Sequence, residues 1–217
     1  MEPKDRVRTP RQERSMKTKT AILHAAIQIF SEKGYHATNT KEIAAAAGVS
    51  TGSVYSYYAD KRAIFLDAVL LYNREFVDRM ERELGDIDIK VEDKRTVLPK
   101  LIESLINAHQ VFKSFHNEMK VLYYSDPVVR HLMDEQYERS REMTVRHMYH
   151  WGDELTLSDP EAAAFVVFEA ISQVVDMLVF SKVPVSEERI KKALSAMVES
   201  YLMSPDESEH EEKVSKG

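Results

Sequence analysis

The sequence holds no cysteine, one tryptophan and only six glycines in 217 residues. Without cysteine there are no disulfides, no thiolate metal ligands and no thiol nucleophile. The few glycines are scattered, so no Gly-rich loop is available to cradle phosphates. Among the eight histidines, His147 and His150 lie three apart, but no HExxH and no close His/Asp cluster occurs, so neither a metal nor a cofactor is expected. No stretch approaches about 18 uninterrupted apolar residues, the length that spans a bilayer. The N-terminus MEPKDRVRTPRQERSMKTKT has no apolar core of the kind a secretory signal needs. The expected address is the cytoplasm, without a membrane partner.

Net charge is −6, which at first opposes nucleic-acid binding, but the charge is unevenly placed. Residues 1–62 carry 11 Lys/Arg against 6 Asp/Glu, and the remainder carries 19 against 30. A basic end on an acidic body brings that end to phosphates while holding the body away. Residues 1–17 read as a flexible basic arm, which serves either as a phosphate or minor-groove contact or as a solubilising tail.

Hydrophobic residues make up 43% of the chain and recur at helical spacing, with no strand alternation, so the fold class is all-α. Ile22, Ala25, Ala26, Ile29 and Phe30 mark a first helix over about 18–33, stopped by Gly34. A second follows YHATN, capped by Asn39 with Glu42 in a capping box, or by Thr38. Gly48 supplies a tight turn and Ser50 caps a third helix from Thr51 to about Ala59, whose Val54 and Tyr58 face the core. That leaves Thr51, Gly52, Ser53, Tyr55 and Ser56 on its outer side. Small hydroxyls donate to phosphates or base edges, and glycine admits close backbone approach. Tyr55 and Tyr57 each offer a phenol to a phosphate, although packing accounts equally for Tyr57. Asp60 caps a fourth helix running to Gly85, with Lys61 opposing the helix dipole in the first turn unless a phosphate lies nearby.

Five further helices are expected beyond the acidic connector DIDIKVEDKR: about 96–113 with Pro99 in its first turn, 115–124, 127–151, 160–181 and 187–203. Residues 204–217 form a polar tail expected to be disordered.

The segments AILHAAIQIFSEKGYHAT and TKEIAAAAGVSTGSVYSYYADKRAIF resemble the DNA-binding domain of the TetR family of bacterial regulators. The resemblance implies a helix-turn-helix domain over 18–62 and a ligand-binding and dimerisation bundle over 63–203. It assigns Thr38, Tyr55 and Lys61 to phosphates, Lys41 to an exposed DNA-reaching position, and Thr51, Gly52 and Ser53 to the start of the recognition helix. Ser56 and Tyr57 complete the candidate DNA-binding set. Thr40 departs from the family pattern, replacing a usual apolar residue.

The family pairs through its last two helices, here about 160–203. AAAFVVFEAISQVVDMLVF (162–180) is apolar nearly all round, so it needs partners on more than one side, either a two-fold mate or the monomer's own core. A two-fold dimer implies a near-palindromic operator in double-stranded DNA. Polar residues on apolar faces, His109 on one helix and Gln136, Ser140 and His147 along another, point to a small-molecule effector, with Phe112, Met119, Tyr123, Met133, Met143 and Trp151 as flexible or aromatic walls. Taken singly, each also fits an ordinary core. Glu169, Gln173 and Asp176 read as a solvated stripe. The function expected is a ligand-responsive repressor, not an enzyme, released from DNA by a small, largely apolar effector. A body that binds a protein instead, or a helical enzyme, are the alternatives.

Overall fold

The computed structural model describes residues 10–85, 94–111, 113–149 and 159–202. All regular structure among them is α-helical: α1 (Pro10–Lys33), α2 (Thr40–Ala46), α3 (Thr51–Tyr55), α4 (Lys61–Gly85), α5 (Lys94–Val111), α6 (Lys113–Tyr123), α7 (Pro127–Tyr149), α8 (Pro160–Phe180) and α9 (Glu187–Leu202). The expected flexible start, the acidic connector and the polar tail lie at least partly outside the described residues.

Where a polar side chain can catch free N–H groups, the helix starts match the sequence. Asn39 and Glu42 form the reciprocal capping box of α2, which decides against Thr38 as the cap. Ser50 Oγ accepts the Ser53 N–H, Asp60 Oδ1 the Ala63 N–H, Asp126 Oδ1 the Val128 N–H and Asp159 Oδ1 the Ala162 N–H. Several bounds differ from expectation, three of them with a physical consequence. The first helix begins at Pro10 rather than about Thr18, so residues 10–17 are not a flexible arm. Proline suits a first helical position, Glu13 meets the positive end of the dipole, and Arg, Gln, Met and Lys are strong helix formers. α3 stops at Tyr55, and Tyr57 and Tyr58 continue it only as a turn onto the Val54 carbonyl. α5 starts early enough to put Pro99 past its first turn, where it deprives the Arg95 carbonyl of a partner.

The chain divides into two compact units, Met1–Glu75 with Phe112–Glu135, and Phe76–Val111 with Gln136–Gly217. This division does not follow a 62/63 boundary, because α6 and the start of α7 belong with the helix-turn-helix. α1 packs on both α2 and α6. In this unit Phe30, Phe65 and Phe115 are buried and their rings meet in series, at 5.2 Å and 5.5 Å. Such ring pairs add about 0.5–1.5 kcal/mol each beyond area burial. Phe115 comes from α6, so the core under the helix-turn-helix is closed by a side chain 50 residues beyond Phe65.

The second unit is built on Leu98, Ile102 and Ile106 of α5, Ala164, Val167, Ile171, Val175 and Val179 of α8, and Leu194, Val198 and Leu202 of α9. α8 is long and apolar enough to cross a membrane by length and composition. Seven of its side chains are buried, five of them in the core shared with α5 and α9. Lys191 Nζ on α9 reaches Glu103 Oε2 on α5 at 2.6 Å.

Candidate nucleic-acid interface

α2 and α3 meet at Gly48, whose φ of +68° is the left-handed conformation that an L side chain resists. Buried Val54 and Tyr58 pin α3 to the core, as expected. Burial and a hydrogen bond to Asp67 Oδ2 raise the Tyr58 pKa well above the usual tyrosine range. With that face fixed, Gly52, Tyr55 and Ser56 are exposed, and Thr51 and Ser53 are half-buried at the helix start. Tyr55 is 55% exposed, a large aromatic surface left to water unless something covers it in use. Lys41 is exposed on α2. Tyr57 is half-buried, and its hydroxyl lies 3.2 Å from Ser15 Oγ on α1.

Gly52 is informative in a different way from Gly48. Its φ is not positive, and a Cβ added there would meet only Ser50 Oγ, at 3.9 Å. The fold therefore does not require glycine at position 52. A requirement for it must come from outside the chain.

Two expected phosphate ligands are otherwise engaged. The Thr38 side chain is 2% exposed and its hydroxyl donates to the Gly34 carbonyl at 2.8 Å. Lys61 Nζ donates to the carbonyls of Tyr35, His36 and Thr38 at 2.7, 3.3 and 2.7 Å. An ammonium has three protons, and all three are directed at this loop. These carbonyl dipoles offset the unfavourable placement of Lys61 at a helix N-terminus. Both residues order the α1–α2 loop in this conformation.

The same loop is held from the other side. Glu118 on α6 accepts the Tyr35 N–H at 2.8 Å, and a Cβ on Gly34, itself at φ +81°, would come within 3.3 Å of the same carboxylate oxygen. Arg62, in the first turn of α4, makes a two-pronged pair with Asp126 at 2.6 and 2.9 Å. That guanidinium holds the Asp126 carboxyl below the usual carboxylate range. Sequence patterns do not reveal these two pairings, because the partners are 83 and 64 residues apart.

The segment GVSTG (48–52) also satisfies the GxSxG pattern of hydrolase nucleophile elbows. Here it joins helix to helix instead of strand to helix, and Ser50 Oγ caps α3, so it lacks the context that chemistry requires. Among the described residues there is no group of three or more side chains able to hold a metal ion.

The expected effector-binding residues fall in both units. In the first, Met119 is buried with Phe115, Met133 is half-buried, and Tyr123 donates to Asp134 Oδ1 under the Arg130 guanidinium. In the second, His109 Nδ1 donates to the Leu105 carbonyl at 2.8 Å, and its ring stands edge-on to Phe76. Gln136 donates to Ser140 Oγ at 3.4 Å, one turn from half-buried Met143. Phe112, Trp151 and the side chain of His147 lie outside the described residues.

Comparison with known proteins places this geometry. Residues 22–68 match the family of bacterial regulatory proteins called tetR, and residues 82–202 match the tetracyclin repressor-like C-terminal domain. The chain is similar to the fatty acid metabolism regulator protein of Bacillus subtilis, 29% identical over 90 residues that cover 42% of this chain and 46% of that protein. It is also similar to the HTH-type transcriptional regulator AcrR of Shigella flexneri, 27% identical over 151 residues, 61% of this chain and 65% of that protein. Both matches span less than two thirds of the relative's length. Its fold resembles a TetR-family regulator from Mesorhizobium loti, with a TM-score of 0.73 at 23% identity over 87% of this chain and 96% of that one. A regulator from Saccharomonospora viridis, solved in complex with choline, gives 0.70 at 18% identity over 88% and 100%. A family match running through most of the chain, on a helix-turn-helix whose outer face is left open, has one meaning: the chain belongs to the tetR family of bacterial regulatory proteins.

Proposed function

We propose that the protein is a repressor that binds a near-palindromic operator as a homodimer and is released by a small, largely apolar effector. The observation that carries the reading of DNA is Gly52, a glycine at the start of α3 that nothing inside the protein requires. Thr51, Gly52 and Ser53 read base edges, and Lys41, Tyr55, Ser56 and Tyr57 contact the backbone around them. Operating on DNA places the protein in the cytoplasm, and regulation rather than catalysis is its activity.

Support for the dimer comes from α8 and α9, which leave Phe165, Val166, Met177, Met197 and Tyr201 exposed on the side away from their shared core. Large apolar side chains left exposed on two packed helices suit an association site. Two recognition helices on a two-fold axis read half-sites about 34–36 Å apart or a small multiple of that. An effector that binds a second conformation more tightly lowers operator affinity by the difference. Its apolar character is inferred from half-buried Met143 and the polar anchors Gln136, Ser140 and His109, and from the likeness to a regulator of fatty acid metabolism.

Selection of bound duplexes from a random DNA pool tests the reading. The expected product is one inverted repeat, with wild-type protein preferring it over random duplex by about a thousandfold or more. A pool that remains random after repeated rounds contradicts the proposal.

A further inference from the structure

The first half of α1 lies outside the stretch that matches the DNA-binding family, which begins at residue 22. It is nevertheless helical and fastened to the reader at two points. Ser15 Oγ lies 3.2 Å from Tyr57 OH, two residues past the end of α3. Lys19 Nζ lies 2.7 Å from Asp67 Oδ2 and over the Tyr58 ring at 5.6 Å. Ser15, Lys19 and buried Ile22 therefore define the packed face of this part of the helix, at the spacing that puts residues on one side.

Arg14 is the neighbour of Ser15, about 100° round the helix. It is exposed, and it pairs with no carboxylate among the described residues. Lys17 is also exposed, but it lies about 200° from Ser15, on the face turned away from Tyr57. Between Ser15 and Tyr57 one hydroxyl proton is used in their mutual bond, and the second is left to donate elsewhere. An exposed arginine one residue from a contact with a spare hydroxyl donor supplies the two kinds of donor that suit phosphate oxygens.

We propose that Arg14, one residue from the Ser15–Tyr57 contact, is an additional DNA-phosphate contact, so that the start of α1 extends the interface beyond the helix-turn-helix. This rests on the DNA-binding reading above, and its ligand is the sugar-phosphate backbone rather than a base.

The test is the salt dependence of binding to the duplex that wild-type protein enriches from a random pool, compared for Arg14→Gln and Lys17→Gln. Both side chains are exposed and glutamine keeps helix propensity, so both variants should retain the wild-type melting temperature. Each phosphate contact contributes about 0.9 to the slope of log affinity against log salt. Arg14→Gln is expected to flatten the slope by roughly that amount per protomer, with unchanged sequence preference, while Lys17→Gln leaves the slope as in wild type. An unchanged slope in Arg14→Gln, an equal loss in both variants, or an altered sequence preference overturns the assignment. Wild-type protein that enriches no duplex overturns the DNA-binding reading as well.

Discussion

Gly52 separates stability from function. Alanine there meets no obstacle and removes the entropy that glycine loses on folding, so Gly52→Ala is expected to stabilise the protein by about 0.4–1 kcal/mol. The same methyl stands where the backbone should meet DNA, so operator affinity is expected to fall about tenfold or more, roughly the 1–3 kcal/mol carried by a good base contact. Urea denaturation and fluorescence anisotropy on the selected duplex measure the two effects. A more stable variant with undiminished affinity would remove Gly52 from the reading surface. Gly48 makes the contrast: it too has open space around it, but its φ of +68° makes alanine cost about 1–2 kcal/mol. Residue types alone do not separate these cases, nor do they settle Thr38 and Lys61. A threonine and a lysine near a helix start suit phosphate, but the path of residues 34–38 turns three carbonyls toward Lys61 and buries the Thr38 hydroxyl. That path depends on Glu118 from α6, which no local pattern encodes.

At the scale of helices, starts are legible wherever a capping side chain marks them, because the cap is a local contact between residues two or three apart. The start of α1 is not, since its first two turns carry no apolar periodicity, and the helix is held there and one turn on by Tyr57 and Asp67 far along the chain. The partners of α8 and α9 are only half legible. An all-apolar helix announces that it needs neighbours, while burial shows which face remains: Val167, Ile171 and Val175 are inside, and Phe165 and Val166 are outside. On α9, Met197 is 52% exposed beside buried Val198. Met197→Glu should leave the helical content unchanged, since it touches no core position. Burying its unpaired carboxylate in a two-fold interface should weaken the dimer at least roughly tenfold. Sedimentation velocity across a concentration series would show a shift to monomer, and a dimer as tight as wild type would exclude this face.

For the whole molecule, the uneven charge and the division into two units answer different needs. The basic first 62 residues suit a polyanion, and the acidic remainder disfavours indiscriminate binding to one. The division does not separate reader from body cleanly by sequence, because α6 and the start of α7 pack with the helix-turn-helix. Glu118 and Asp126 grip the α1–α2 loop and the first turn of α4, so a displacement of the α6–α7 corner would reach the reader through two hydrogen-bonded carboxylates. Everything proposed for regulation presupposes that one reader is half of a device. Sedimentation equilibrium on the selected duplex, with both half-sites intact or with one scrambled, measures that directly. Two protomers per intact duplex are expected, with affinity at least about a hundredfold lower once one half-site is scrambled, the usual scale of several mismatches. One protomer per duplex, bound as tightly to the scrambled site as to the intact one, would contradict it.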